Sequence, residues 1–201
     1  MMNLQESKDA FPFISDEAWP QLQALPALYE EWNAKINVVS RKDMDKLWER
    51  HILHSLCIGH VAHLAPGMRV LDIGTGGGFP GIPLAIAYPK IHWVLNDSIG
   101  KKVKVVEEVK QALSLDNVTA VHARCESLEG PWDAVVTRAV APARKLLHWV
   151  RPQMVKGAEM YALKGGDLSE ELAGLRSQRH AISQWLDAPF FETKSVVVLK
   201  R

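Results

Sequence analysis

The sequence predicts a doubly wound α/β protein: a mostly parallel, Rossmann-like sheet with helices on both faces, preceded by a helical cap. Three observations carry this. From residue 68 onward, short apolar runs alternate with amphipathic segments, the pattern of a parallel-dominated sheet. Residues 70–81, Val-Leu-Asp-Ile-Gly-Thr-Gly-Gly-Gly-Phe-Pro-Gly, run from a strand through a glycine loop into a helix start, the unit that opens the ligand crevice of such sheets. Residues 16–64 instead place Ala18, Trp19, Leu22, Leu25, Leu28, Tyr29 and Trp32, and then Leu47, Trp48, His51, Ile52, Ser55 and Leu56, at helical spacing.

Taken in order, the helical N-terminal extension occupies 1–66, with a polar break from Asn37 to Asp43 that carries Arg41 and Lys42, and the sheet-forming core occupies 67–201 of a single domain. Strands are expected at 68–73, 91–96, 117–121, 132–137, 158–164 and 195–199, with a weaker one near 183–187. Helices are expected near 80–88, 99–113, 142–152 and 168–180. Pro80 and Pro83 suit the first turn of the helix after the glycine loop, where a missing N–H does no harm. In 99–113, Ile99, Val103, Val106, Val109 and Leu113 share one face, and the lysines ride the other.

A chain of 201 residues can bury one sizeable core. No apolar run approaches the length of a membrane span, and the first residues lack a signal-peptide apolar region. Cys57 and Cys125 supply neither a disulfide framework nor a metal quartet, so a reducing cytoplasm is the expected setting. His51, His54, His60 and His63 form two i,i+3 pairs without completing ligands; they read as ordinary helix histidines, and no metal is expected. The net charge of +1 hides an asymmetry: residues 1–60 net −3 and the remainder +4. Lys101, Lys102, Lys104 and Lys110 cluster, and 138–164 sets Arg138, Arg144, Lys145, Arg151, Lys156 and Lys164 against Glu159 alone. Local basic patches on a near-neutral protein suit a polyanion held on one face.

The charge beside the loop narrows the ligand. Gly74, Gly76, Gly77 and Gly78 let a ligand approach the backbone without Cβ interference. A dinucleotide would lay its pyrophosphate there, and Asp72 would repel it. S-adenosylmethionine (SAM) brings an ammonium and a sulfonium instead, and an acid attracts both. The frame Gly76-x-Gly78-x-x-Gly81 does fit the dinucleotide fingerprint, but it starts two residues late, and the phosphate-loop pattern is absent. Asp97, about twenty residues beyond the loop, stands where an acid binds ribose hydroxyls; it could equally cap the next helix. Cys125 main-chain groups and the Glu126 carboxylate could bind an adenine edge. Arg138, ending the fourth strand, faces the reacting end and can fork onto a phosphate or carboxylate. The Asn/Asp-Pro-Pro-aromatic tetrad of amine methylation is missing, and so is a nucleophilic cysteine on that strand. A ring nitrogen with a free lone pair, such as guanine N7, needs neither.

These motifs resemble the RsmG (GidB) family of SAM-dependent 16S rRNA guanine-N7 methyltransferases. The matching segments are Trp32-Asn33-Ala34-Lys35-Ile36-Asn37, Arg50-His51-Ile52-Leu53-His54-Ser55-Leu56, Asp72 to Leu84, Asp97-Ser98-Ile99-Gly100-Lys101-Lys102, Thr137-Arg138-Ala139 and Ala162-Leu163-Lys164-Gly165. The resemblance implies a class I methyltransferase fold and SAM contacts at Gly74, Phe79, Cys125, Glu126 and Arg138, to which the reading of the residues adds Asp72, Gly76, Gly78 and Asp97. It implies an rRNA-facing surface at Arg50, His51, Lys101, Lys102, Arg138 and Lys164, and a partner that is 16S rRNA, the small ribosomal subunit or its assembly intermediate. A monomer without membrane attachment is expected. His54 departs from the family's usual Asp, and the C-terminal Phe191-Glu192-Thr193-Lys194-Ser195 lacks its usual Glu-Arg-His stretch. Two other readings stay open: a SAM-fold module that grips rRNA without turnover, and an NAD-linked oxidoreductase.

Overall fold

The computed structural model describes residues 2–138 and 140–201, with Arg41 described by its backbone alone; Ala139 of the Thr-Arg-Ala motif lies outside the described residues. The N-terminal part is helical: α1 (Leu4–Ala10), α2 (Trp19–Lys35), tight helical turns over Arg41–Lys46 and Trp48–Leu53, α3 (His54–Leu56) and a last turn over Cys57–His60. The core then alternates: β1 (Arg69–Ile73), α4 (Gly81–Ala87), β2 (His92–Asp97), α5 (Gly100–Ala112), β3 (Val118–His122), β4 (Trp132–Arg138), α6 (Ala143–Val150), β5 (Met154–Gly165), α7 (Ser169–Leu172), β6 (Ser177–Ala181) and β7 (Lys194–Lys200).

The seven strands form one sheet in the order β3-β2-β1-β4-β5-β7-β6. Strands β1 to β5 are mutually parallel, and β7 and β6 join antiparallel at one edge. The chain order reverses between β1 and β4, which opens a crevice at the carboxyl ends of those strands. Alternation along β1 sends Val70 to one face and Leu71 and Ile73 to the other. The first face is covered by α4, α5 and the N-terminal helices, through Trp19, Leu22, Leu25 and Tyr29 of α2. These residues recur every three or four positions, so a single stripe of the helix is buried. The second face is covered by α6 through Ala143, Leu146 and Val150.

Two expected elements are corrected. The helix expected over 168–180 is confined to Ser169–Leu172, because Gly174 turns the chain at φ +72° and Ser177–Ala181 pairs with β7 as an edge strand. The strand expected near 183–187 is instead a tight turn over Ile182–Gln184, whose Ile182 and the following Leu186 are buried beneath the sheet edge. The N-terminal helical reading needs only refinement: after α2 the chain unwinds at Ile36, and the segment that follows is built from short turns instead of one long helix.

Candidate active-site cleft

A cleft of about 710 Å³ lies over the carboxyl ends of β1, β2 and β4, a size that suits a nucleoside-like ligand. Its floor is the glycine loop after β1. Gly74 and Gly76 adopt φ +62° and +61°, a backbone region that side chains disfavour, and a Cβ on Gly76 would meet nothing, so the open space there belongs to the ligand side. A Cβ on Gly74 would sit 2.5 Å from Val140 Cγ2.

The N-terminal helices hold this loop from behind. The Tyr29 hydroxyl donates to Gly77 O, and burial raises its phenol above the ordinary range. Asn33 Oδ1 accepts from Val38 N and Val39 N, 2.9 Å each, which fixes Val38 against Gly77. The residues of the Trp-Asn-Ala-Lys segment thus shape the loop without entering the cleft.

Asp97 links the loop to the next strand: its Oδ2 accepts from Gly76 N at 3.0 Å and its Oδ1 from Ile99 N at 2.9 Å, with Lys102 Nζ 3.9 Å away. Asp97 is not the cap of α5, which is Ile99; its carboxylate instead holds the turn before that helix while lining the cleft. Glu126 borders the same end and accepts from Cys125 Sγ at 3.3 Å. Its own backbone N–H holds the carboxyl below the usual range, so it is ionised at neutral pH. Cys125 is a buried thiol pushed up to about 12 by desolvation and by Glu126, so it serves as a wall and not as a nucleophile.

At the other end stands Arg138. Its guanidinium lies 5.3 Å from the Phe79 ring centroid, donates to His51 Nδ1 at 3.0 Å and to Arg50 O at 3.4 Å, and meets no carboxylate within ion-pair distance among the described residues. Burial lowers its pKa to about 10. Phe79 is buried between Tyr29 and His51. Arg50 lines the cleft and pairs with Asp43 at 2.7 Å. His54, in place of an acid, is a buried ring packed against Phe190 and Phe191, held neutral with a pKa near about 3, chiefly by burial.

Three expected site residues are corrected. Asp72 does not face the cleft: its side chain turns behind the loop, where Oδ2 accepts from Thr75 Oγ1 at 2.6 Å and Gly81 N at 2.8 Å. Burial raises its carboxyl to about 7, so the acids presented to a ligand are Asp97 and Glu126. Gly78 also faces away; a Cβ there would lie 2.6 Å from Ile82 Cγ1 and 2.8 Å from Tyr29 Oη. Lys164 borders the cleft, but its ammonium is committed to Glu171 at 2.7 Å and to Ala141 O at 2.8 Å, tying β5 to α7 and to the loop that precedes α6. Lys101 stands exposed outside the cleft, whereas Lys102 lines it. Gly77 lines it as the glycine loop implied, and Thr75, Asn96, Ser98 and Ile99 also line it without having been named as contacts; all adjoin the carboxyl ends of β1 and β2, and that position was the available signal.

Two expectations follow. Gly78→Ala combines a φ of +104° with two close contacts and lowers stability by about 2 kcal/mol or more, measured as a fall in urea midpoint. Asp72→Asn acts through pH. Burial raises the native carboxyl from the ordinary 3.8 to about 7, so its stabilising contribution is complete below the lower value and is lost as pH rises through the upper one. The variant therefore melts above the wild type in alkaline buffer and loses that advantage in acid. Thermal melts across the range check this, and a constant difference would refute it.

Comparison with known families places this geometry. The model of the family GidB, rRNA small subunit methyltransferase G, matches residues 19–194. Ribosomal RNA small subunit methyltransferase G of Christiangramia forsetii is 48% identical over 206 residues, covering 98% of this chain and 97% of that protein. The protein of the same name from Bacteroides thetaiotaomicron is 46% identical, covering 93% and 95%. Among solved structures, a SAM-dependent methyltransferase from Aquifex aeolicus superposes with TM-score 0.54 at 18% identity, covering 68% of this chain and 84% of that one, a likeness of fold.

Proposed function

The chain belongs to the GidB family, rRNA small subunit methyltransferase G, and from that premise we propose that it transfers a methyl group from SAM to N7 of a guanine in 16S rRNA, acting as a cytoplasmic monomer on the small subunit or its assembly intermediate. The enzyme is a SAM-dependent rRNA methyltransferase of class I fold. Among the described residues no helix is long and apolar enough to cross a membrane. We read residues 1–66 as a helical extension of the same methyltransferase domain.

The observation that carries the reading is the polarity of the cleft, acidic at Asp97 and Glu126 and cationic at Arg138, with a Cβ-free floor between. This donor set fits SAM. Asp97 and Glu126 would hold the ribose hydroxyls and the adenosine end, Gly74, Gly76 and Phe79 would lie along its length, and Arg138 would receive the carboxylate of the methionine moiety. Bound there, SAM supplies a methyl carbon activated by a sulfonium leaving group. A guanine N7 that received this methyl would use its own lone pair, with the C–S pair left on sulfur, and would need no proton removed. No side chain therefore has to act as a base; positioning is the protein's task, worth several kcal/mol. Lys101, exposed, and Lys102 at the cleft rim would face the RNA backbone, while Arg50 is paired with Asp43 and Lys164 with Glu171. Unlike the sequence-level argument, repulsion of a diphosphate rests on Asp97 and Glu126 and not on Asp72.

The test is primer extension after borohydride–aniline cleavage of 16S rRNA from deletion and rescued cells. A cleavage stop present only with the gene supports the reading. Identical patterns, with S-adenosylhomocysteine still bound by the pure protein, would favour a binding module.

A further inference from the structure

His51 lines the cleft beside Arg138, and nothing in the methyl-transfer scheme above uses it. Of its two ring nitrogens, only Nδ1 has a partner among the described residues. Nδ1 lies 3.0 Å from Arg138 Nη2. A guanidinium has donors only, so Nδ1 is the bare acceptor and the ring proton sits on Nε2. Burial, and then the Arg138 charge, push the ring's pKa to about 3, so the imidazolium does not form near neutrality. Among the described residues Nε2 has no hydrogen-bond partner, and His51 lines the cleft. The ring's orientation is held edge-on to Phe79, at 5.3 Å and 65°. The neighbouring cations are otherwise engaged, Arg50 with Asp43 and Lys164 with Glu171.

A fixed, neutral N–H donor at the acceptor end has a specific use. Guanine presents two adjacent acceptors, N7 and O6, on the edge that must approach the methyl donor. Adenine presents N7 beside an amino donor. We propose that His51 selects guanine by donating its Nε2–H to O6, with Arg138 locking the tautomer so that the ring cannot turn acceptor for adenine. The assignment rests on the guanine-N7 reading of the site. Neutrality also suits the chemistry, since the alkylated base becomes cationic and a charged donor at O6 would oppose it. His51 is thus a specificity and positioning residue; it moves no proton.

The test uses the full-length protein with reconstituted small subunits carrying guanine or 2-aminopurine, which keeps N7 but lacks O6, at the methylated position. Tritiated SAM reports the transfer. The wild type prefers guanine by a factor on the order of 10³ in kcat/KM. His51→Ala loses about 100-fold more on guanine than on 2-aminopurine, because the loss of the Arg138 contact is common to both bases and only guanine also loses a hydrogen bond at O6. His51→Gln, whose amide N–H reaches the Nε2 position, recovers at least about tenfold on guanine. Equal losses on both bases would overturn the assignment and leave His51 a packing residue. Nitrogen-15 shifts of the His51 ring give an independent readout: a protonated Nε2 and bare Nδ1 are expected, and the opposite tautomer or an imidazolium would refute the lock. Absence of guanine N7 methylation by the wild type, with S-adenosylhomocysteine bound, would instead defeat the functional reading on which the assignment stands.

Discussion

Replacing Arg138 by Met lowers methyl transfer by a factor on the order of 10³ while leaving the melting temperature within a few degrees of the wild type. The two halves of this expectation have one cause. The guanidinium is half-buried, finds no carboxylate within ion-pair distance among the described residues, and has its pKa lowered to about 10 by desolvation. A buried charge without a counter-ion weakens the native state, and an apolar side chain of similar length removes that penalty. What is lost is the charge-assisted hydrogen bond to His51, about 1.5–3 kcal/mol, and the longer one to Arg50 O, which the relieved desolvation offsets. The charge is therefore retained for a ligand, and its removal takes away charge-assisted hydrogen bonds and alignment together. Tritium transfer and thermal unfolding on the same preparation check both halves. A variant that unfolds, or one that keeps kcat/KM within about threefold, contradicts the assignment.

Asp97→Asn weakens S-adenosylhomocysteine binding by about 100-fold, roughly 2.7 kcal/mol. The substitution preserves shape and removes acceptor capacity and charge. Both carboxylate oxygens already accept backbone N–H groups, from Gly76 and from Ile99. An amide must turn its NH₂ toward one of them, setting donor against donor and releasing either the glycine loop or the turn that starts α5. The negative charge at the ribose end goes too, and Lys102 loses its neighbour. Calorimetric titration measures the change. Affinity equal to that of the wild type would show that Asp97 serves the backbone alone.

How much of this was legible follows from how local each signal is. The glycine loop, its flanking strand and helix, and Asp97 at the end of β2 lie within a few residues of their determinants, and the structure brings them to one cleft. Side-chain direction was not legible in the same way. Asp72 has the right chain position, but the strand's alternation and the Gly81 N–H draw its carboxylate behind the loop. Lys164 reads as a free cation until Glu171 arrives from α7. The error over 168–180 has the same root. Ser-Glu-Glu-Leu starts a helix on local preference, whereas the polar Ser177–Ala181 becomes a strand only because β7 offers it an edge, where Arg179 Nε donates to Ser195 Oγ at 2.8 Å. The pairing of Arg138 with His51 joins residues far apart in the chain, and nothing in either neighbourhood announces it.

The clamp of Tyr29 and Asn33 on the glycine loop makes substrate loading and retention of the amino-terminal helices a single equilibrium. Free energy that SAM adds at the loop by mass action also resists detachment of α2, and any damage that loosens α2 is felt first as a weaker hold on the methyl donor. Drift in the extension, however remote from the reacting atoms, is on this account a route for adjusting how readily the enzyme is charged.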